Sequence, residues 1–158
     1  MVAGELTTVR PATAGDAELL ASWHADPDVS RYWDDETFTI EEMRERLARS
    51  DVDSWLVEER GVSVGYLQSW REGEAGGLDG FLVPTARGRG LMPDAARALA
   101  EHLLATGWAD VTVDPYTWND RAVRAWRKGG FVEVSRHPPD EEHISDWVLM
   151  RFEPVPDT

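Results

Sequence analysis

Residues 77–131 constrain the fold of this chain more than any other segment, because strand and helix patterns alternate there. GLDGFLV is an apolar strand that Pro84 stops, and MPDAARALAEHLLATG is a long helix with Pro93 near its first turn. DVTVDP follows as a short strand, and NDRAVRAWRKGG as a helix that ends at Gly129 and Gly130. This alternation predicts strands and helices packed into one α/β unit.

The rest of the chain adds strands on both sides of this segment. ELTTVR alternates in polarity, and SWLVEERGVSVGYLQSWRE predicts two strands joined at Arg60 and Gly61. Two helices precede that hairpin, the second opening with Thr39 and Glu42 at capping-box spacing, and two further strands close the chain. We predict the α/β (α+β) class, with a single domain over residues 1–158. Its mixed, twisted sheet has about seven strands and about four flanking helices.

The charge of the chain narrows its partners. A net charge of −14 argues against nucleic acid or an anionic membrane as partner, since phosphate groups bind basic surfaces. It suits a cationic substrate, although an acidic surface also simply keeps a protein soluble. Without cysteines there are no disulfides or thiolate metal sites, and we expect no metal. The chain shows no long apolar run and no signal-peptide pattern, which predicts a soluble, cytoplasmic protein.

The turn RGRG before the long helix predicts an anion site. Gly88 and Gly90 permit positive φ, so that successive N–H groups can face a ligand at the positive end of the helix. Arg87 and Arg89 add charge. The pattern lacks the Gly-Lys-Ser/Thr of a Walker loop, and Met92 stands at the third glycine position of a dinucleotide fingerprint. A glycine turn of this kind is also common as a plain tight connection.

Taken together, the strand, RGRGL, long helix, short strand, NDRA, helix and Gly-Phe resemble the acetyl-CoA core of the GNAT N-acetyltransferase superfamily. Within that superfamily, VSRYWDD, VGYLQSW, GLDGFL and VTVDPYTWNDRAVRAWRKGGF are similar to aminoglycoside 6'-N-acetyltransferases. The resemblance covers nearly the whole chain and is most specific over residues 78–131. It implies a GNAT fold whose sheet is splayed in the middle, and acetyl-CoA as the cofactor.

The resemblance also implies how coenzyme A is held. The turn from Arg87 to Met92 would bind the pyrophosphate, and the end of the preceding strand would pair with the pantetheine arm. Trp126 stands where many members have a tyrosine, and an indole can donate a hydrogen bond but no proton at neutral pH. The predicted cofactor-binding residues are Phe81, Leu82, Val83, Arg87, Gly88, Arg89, Gly90, Leu91, Met92, Asn119 and Trp126.

Carboxylates and aromatic faces would bind a substrate with several ammonium groups. Asp79 interrupts an apolar strand, where a charge is unfavourable unless it faces a cleft, and it matches a family aspartate that binds substrate and acts as base. A strand-end residue facing water is the alternative. The predicted substrate-binding residues are Trp33, Asp34, Glu72, Asp79 and Asp114. For these too, plainer roles stay open: core packing for Trp33, a solvated loop for Asp34, and a turn former before Pro115 for Asp114.

The predicted reaction is direct acetyl transfer in a ternary complex. The backbone N–H of Val83 would polarise the thioester carbonyl, and Asp79 would take a proton from the substrate ammonium. The predicted acceptor is the 6'-amino group of an aminoglycoside. A hydroxylysine-type siderophore precursor or a polyamine is the nearest alternative, and a protein that only sequesters cationic drug is another. The four histidines show no ligand spacing, and we expect His143 at the surface and the protein as a monomer or homodimer.

Overall fold

The computed structural model describes residues 1–155, which form an eight-stranded sheet with helices on both faces. The strands are β1 Val2–Ala3, β2 Thr8–Pro11, β3 Val52–Glu59, β4 Val62–Glu72, β5 Ala75–Leu82, β6 Asp110–Val113, β7 Phe131–His137 and β8 Trp147–Phe152. The helices are α1 Ala17–His24, α2 Pro27–Ser30, α3 Ile40–Leu47, α4 Leu91–Ala105 and α5 Asp120–Lys128. The strand order is β1-β2-β3-β4-β5-β6-β8-β7, antiparallel except between β5 and β6. None of these helices is long and apolar enough to span a membrane.

The predicted mixed sheet is confirmed, with one strand more than expected. The extra strand β1 has two residues and pairs with β2. Asp94 of α4 stabilises the connection between them, because its carboxylate accepts the N–H groups of Glu5, Leu6 and Thr7 at 2.9–3.0 Å. The extra helix α2 is a single turn, capped by Asp26, whose Oδ1 accepts the Asp28 N–H at 2.9 Å.

Local sequence signals position the elements as predicted. Thr39 Oγ1 accepts the Glu42 N–H at 3.1 Å and Glu42 Oε1 accepts the Thr39 N–H at 3.0 Å, so the capping box opens α3. Arg60 and Gly61 both have positive φ, 51° and 80°, which matches the twist of the β3–β4 hairpin.

The core lies on both faces of the sheet. On one face α4 packs against the central strands through an apolar cluster that includes Leu67, Leu78, Leu82 and Leu99. On the other face α1, α2 and α3 enclose a second cluster that includes Leu20, Met43, Trp33 and Phe81. Since side chains alternate along a strand, Asp79 lies on the same face as Phe81.

The sheet opens between its two parallel strands. β5 pairs with β6 from Ala75↔Asp110 to Gly77↔Thr112, and from Leu78 onward the two strands diverge. β6 pairs on its other side with β8, through Thr112↔Arg151 and Val113↔Met150. Five residues of β5, Leu78 to Leu82, therefore lie along an opening in the middle of the sheet, where the splay was predicted.

Candidate active site

A cleft of about 640 Å³ occupies the opening between β5 and β6. Residues 78–82 form one wall, and Val113 to Tyr116 form the other. The glycine turn, α5 and the loop after α2 complete its lining. The cleft thus combines the glycine turn, the β5 edge and several of the predicted carboxylates in one site.

The β5 edge presents backbone groups to this cleft. The Val83 N–H donates to the Val64 oxygen at 2.9 Å, and antiparallel pairing alternates the direction of successive N–H groups. Residues 79, 81 and 83 therefore face β4, whereas residues 78, 80 and 82 face the opening. Val83 does not line the cleft in the described chain, and its N–H is already bonded. The prediction that Val83 polarises the thioester is wrong, and Leu82 is the residue whose N–H points that way.

The glycine turn lies at the N-terminus of α4. Gly88 and Gly90 have φ of 84° and 76°, conformations that a residue with a Cβ rarely adopts. Leu91 and Met92 form the first turn of α4, and both line the cleft. Their N–H groups belong to the first turn of a helix, which leaves N–H groups for an anion.

The two arginines of the turn separate. Arg87 lines the cleft and donates to the Asp28 oxygen at 2.7 Å. Arg89 forms an ion pair with Glu59 at 2.7 Å on the β3–β4 hairpin and lies outside the cleft-lining set of the described residues. The Arg89 guanidinium is thus paired with a carboxylate distant in sequence instead of lining the cleft with Arg87.

Three cationic residues of α5, which the sequence analysis did not identify, line the cleft together with Arg87. Arg121, Arg124 and Lys128 of α5 line the same end of the cleft, at helical spacings of three and four residues. Arg87 and Arg121 both lie over the Tyr32 ring, at 5.3 and 5.5 Å from its centroid. Burial and the charge of Arg121 lower the pKa of Arg87, so two guanidinium groups lie close together at this part of the cleft.

The other predicted cofactor residues line this half of the cleft in different ways. Asn119 caps α5, since its Oδ1 accepts the Ala122 N–H at 3.2 Å, and its Nδ2 remains the group that can donate to a ligand. Trp126 is buried and packs edge-on against Phe131. Phe81 lines the cleft with its ring in the core on the α1 side, whereas Leu82 packs toward α4.

Asp79 and Asp114 converge on the cleft from its two walls. Asp79 is half-buried, and this burial raises its pKa to about 7, with Asp114 and Asp34 acting in the same direction. The Gly80 N–H donates to Asp79 Oδ1 at 2.8 Å and lowers the pKa in part. A carboxyl group that exchanges its proton near neutral pH suits general-base catalysis.

Asp114 is bonded to a histidine that we expected at the surface. His143 is only 7% exposed, and its Nε2 lies 2.6 Å from Asp114 Oδ2. Its Nδ1 lies 2.8 Å from Asp140 Oδ1, and its ring stacks on Trp147 at 4.1 Å. The surface prediction for His143 is wrong, because the isolated bridge between Tyr116 and Trp147 brings the loop before β8 over the end of β6.

The loop after α2 contributes Asp34 to the acidic half of the cleft, the part that contains Asp79 and Asp114. Asp34 and Asp35 both adopt positive φ, 52° and 56°, unusual for residues with a side chain. The Tyr116 hydroxyl donates to Asp34 Oδ1 at 3.0 Å and ties this loop to the opposite wall. Trp33 is buried beside Phe81, with ring centroids 5.6 Å apart, and also lines the cleft.

One predicted substrate residue lies elsewhere. Glu72 is at the exposed end of β4, beside the turn to β5, and the described residues around the cleft do not include it. Glu36 and Glu142 also line the cleft, and the polar lining residues that the sequence analysis missed are Gln68, Tyr116 and His143. The helical spacing of Arg121, Arg124 and Lys128 was a usable signal in the sequence. Tyr116 and His143 carried no comparable signal, because strand pairing alone brings them together.

Comparison with known proteins agrees with this geometry. The model of the Acetyltransferase (GNAT) domain family matches residues 7–132. No curated protein matches the chain. Among solved structures, the aminoglycoside acetyltransferase AAC(6')-Ib in complex with coenzyme A and kanamycin has a TM-score of 0.80 and 24% identity, over 92% of this chain and 93% of that one.

Other solved structures share the fold at lower identity. Spermidine N-acetyltransferase from Vibrio cholerae, in complex with CoA and spermine, has a TM-score of 0.80 and 15% identity, over 93% of this chain and 95% of that one. RimL, a ribosomal L7/L12 α-N-protein acetyltransferase in complex with coenzyme A, has a TM-score of 0.82 and 15% identity, over 96% and 97%. The fold, the opened sheet and the family match agree: this chain belongs to the GNAT acetyltransferase family.

Proposed function

We propose that this protein transfers the acetyl group of acetyl-CoA to a primary amine of a polycationic small molecule, most specifically the 6'-amino group of an aminoglycoside. The observation that carries the proposal is the polarity of the cleft. Arg87 and Arg121 lie together over the Tyr32 ring and line the cleft with Arg124, as its cationic end. Asp34 and Asp114 raise the pKa of Asp79, and Glu142 raises that of Asp114, so these four carboxylates form its acidic end. Such a cleft suits a polyanionic donor at one end and a polycationic acceptor at the other.

The cationic half fits coenzyme A. Gly88 and Gly90 hold positive φ, and a Cβ at Gly88 or Gly90 would be strained in that conformation. The turn and the start of α4 can therefore present N–H groups to a pyrophosphate, with Arg87 and Arg121 nearby. The open edge of β5 offers strand-like hydrogen bonds to the amide groups of a pantetheine arm.

Acetyl-CoA supplies a thioester whose carbonyl carbon an amine attacks, with the thiolate of coenzyme A as leaving group. The chain contributes three functions around that bond. The Leu82 N–H faces the opening and can donate to a developing oxyanion. The walls exclude water and hold the amine beside the β5 edge. Trp126 can donate a hydrogen bond from its indole but supplies no proton.

Asp79 is the base in this proposal. Its raised pKa, about 7, lets it accept a proton from an ammonium group directly or through one water. The other carboxylates favour the ammonium form of the substrate, so binding and deprotonation oppose each other. Activity should therefore rise with pH as Asp79 loses its proton.

A polyamine is the second candidate acceptor, because a linear cation also satisfies spaced carboxylates, and a polyamine acetyltransferase shares the fold. The arrangement of aromatic faces favours a ring-shaped substrate. Tyr116 lines the acidic half of the cleft, and Trp118, 51% exposed, stacks on Tyr116. Flat rings of this kind suit the faces of sugar rings.

The test is thiol release from acetyl-CoA with kanamycin, tobramycin, gentamicin, hydroxylysine and spermidine as acceptors. Release with drugs that carry a 6'-amino group, and mass and NMR identification of the 6'-N-acetyl product, are the expected results. Release with spermidine alone would establish the second candidate. Thermal stabilisation by kanamycin without thiol release would show a binding protein and contradict the proposed reaction.

A further inference from the structure

Each ring nitrogen of His143 contacts a carboxylate oxygen, and a neutral imidazole has only one N–H to donate. Nε2 lies 2.6 Å from Asp114 Oδ2, and Nδ1 lies 2.8 Å from Asp140 Oδ1. A neutral ring carries one N–H, whereas two ionised carboxylates both require donors. With both aspartates ionised, the ring must hold a proton on each nitrogen, and the group of three has a net charge of −1 instead of −2.

The surroundings keep the ring in this place. Trp147 stacks between His143 and His137, at 4.1 and 4.3 Å, and its Nε1–H donates to Asp140 Oδ2 at 3.1 Å. The His143 N–H also donates to Asp140 Oδ1, at 2.9 Å. Asp140 therefore holds both the backbone and the ring of His143, and the ring in turn holds Asp114.

We propose that His143 is a positioning residue for the acetyl acceptor: as an imidazolium between Asp114 and Asp140, it fixes the Asp114 carboxylate at the cleft wall and reduces the negative charge around Asp79. This inference rests on the proposed function, since it assigns a role within that site. A ring that already carries two protons cannot serve as the base. His143 thus acts through Asp114 and through its charge.

The charges that face this group come from several elements. Asp114 and Tyr116 follow β6, Asp140 and Glu142 lie in the loop before β8, and His137 lies across Trp147. Burial by itself lowers the pKa of His143, but the bonds to Asp114 and Asp140 outweigh burial and raise it. The charge of His143 in turn lowers the pKa of Asp79, against burial and Asp114.

The activity test compares His143→Gln with His137→Gln, which removes the ring on the other side of Trp147. For His143→Gln, loss of the cation raises the pKa of Asp79 and moves the rising limb of kcat/KM to higher pH. At about pH 6.5 this lowers kcat/KM about three- to tenfold, with much smaller loss above the limb. KM for the amine rises in the same variant because Asp114 loses its donor.

His137→Gln removes an equivalent stacking contact without touching Asp114, so its pH profile should match the wild type. Equal profiles for the two glutamine variants, or a pH-independent loss in both, would overturn the proposal in favour of packing alone. If His143→Gln does not fold, Asp140→Asn replaces it in the activity test. Its side chain is 45% exposed, and a smaller shift in the same direction is expected. An unchanged profile in Asp140→Asn would then overturn the proposal.

Nitrogen NMR of the imidazole rings decides the protonation state without any activity. The His143 signal of the wild type is assigned by its absence from the spectrum of His143→Gln. It should show both ring nitrogens protonated at about pH 7. A neutral ring there would overturn the inference even if acetylation is found. Conversely, an imidazolium at residue 143 in a protein that acetylates no amine would contradict the proposed function and leave the assigned charge state standing.

Discussion

The two ends of the cleft are built by different means. The cationic end comes from two continuous segments, the turn before α4 and the start of α5, and its arginines bond to backbone oxygen or lie over an aromatic ring. The acidic end comes from separate segments that meet through strand pairing. Its carboxylates bond to side chains of other segments, Asp34 to Tyr116 and Asp114 to His143. A phosphate group needs helix N–H groups and cations, which local sequence supplies. A particular amine needs carboxylates at particular distances, which requires tertiary structure.

This difference assigns separate roles to the two ends. In the proposed reaction the cationic end binds the donor and would serve any acceptor. The acidic end would select the acceptor, and it contains Asp79, whose pKa depends on burial and on Asp114 and Asp34. Substitutions at the two ends should therefore separate donor binding from acceptor chemistry.

The largest effect is expected for Asp79→Asn. An amide cannot take the ammonium proton, so kcat should fall about 10²–10⁴-fold. Binding of acetyl-CoA, measured by thermal shift, should stay unchanged, because Asp79 lies at the acidic end. The wild-type profile of kcat/KM should rise toward a plateau as pH passes about 7, the pKa of Asp79, and the variant should lose this limb.

Asp53→Asn is the matched control for that prediction, since Asp53 is exposed on β3, outside the cleft. It should retain wild-type kcat. A variant at position 79 with near-normal kcat would remove Asp79 as the base and shift attention to Asp114. A wild-type rate that falls between about pH 6 and pH 8 would contradict the mechanism in the same way.

The second-largest effect is expected on the Kd for acetyl-CoA, and it should differ between the two arginines of the glycine turn. Arg87→Gln should raise Kd for acetyl-CoA about tenfold or more, the effect of losing one charge-assisted contact to a phosphate. Arg89→Gln should change Kd less than about twofold, because Arg89 is paired with Glu59 outside the cleft. Isothermal titration checks both.

Unfolding temperatures without ligand show whether Arg87→Gln acts through the fold, since Arg87 also donates to the Asp28 oxygen. Equal losses of affinity in the two variants would contradict the separation of Arg87 from Arg89. The KM of the amine should change in neither variant, because both residues lie away from the acidic end.

How far the sequence predicts each end follows from how each end is built. The turn, the helix start and Asn119 lie within continuous motifs, so the sequence alone marks them. The ion pair of Arg89 could not be predicted, because its partner, Glu59, lies on a distant hairpin. In the sheet, β1 was missed because it has two residues and depends on Asp94, far along the chain.

At the acidic end, the sequence marks single residues without their neighbours. Asp79 stands out as a charge in an apolar strand, and Asp114 as the residue after a short one. Their partners do not stand out. His143 reaches Asp114 because β8 lies between β6 and β7, an order that neither local propensity nor spacing specifies. Glu72, in contrast, is close to the cleft strands in sequence and exposed in the structure.

A smaller effect is expected on stability, and its sign follows from Asp79. Its pKa is higher in the folded protein than the ordinary value for aspartate, so the folded state loses stability as pH rises from about 4 to about 7. Asp79→Asn removes this effect. The unfolding temperature of the variant relative to wild type should be about 5–10 °C higher at about pH 8 than at about pH 5.

Calorimetry at the two pH values measures that difference, with Asp53→Asn again as the control. A constant offset at both pH values would show that Asp79 titrates normally in the folded protein. That outcome would remove the physical basis for Asp79 as a base near neutral pH, while the charge separation of the cleft would remain. A gain in stability together with a loss of kcat is expected where a site holds an unfavourable charge for function.

The smallest effect concerns the contact that joins the two rims of the acidic end. Tyr116→Phe removes the hydrogen bond to Asp34, whose positive φ makes the loop dependent on such contacts. KM for the amine should rise about two- to fivefold, with little change in kcat or in Kd for acetyl-CoA. A double-mutant cycle with Asp34→Asn isolates the pair, and a coupling energy of about 0.5–1.5 kcal/mol is expected. Additive effects would show that Tyr116 acts through its stacking on Trp118, and the loop after α2 would then contribute to the acidic end independently of the β6 wall.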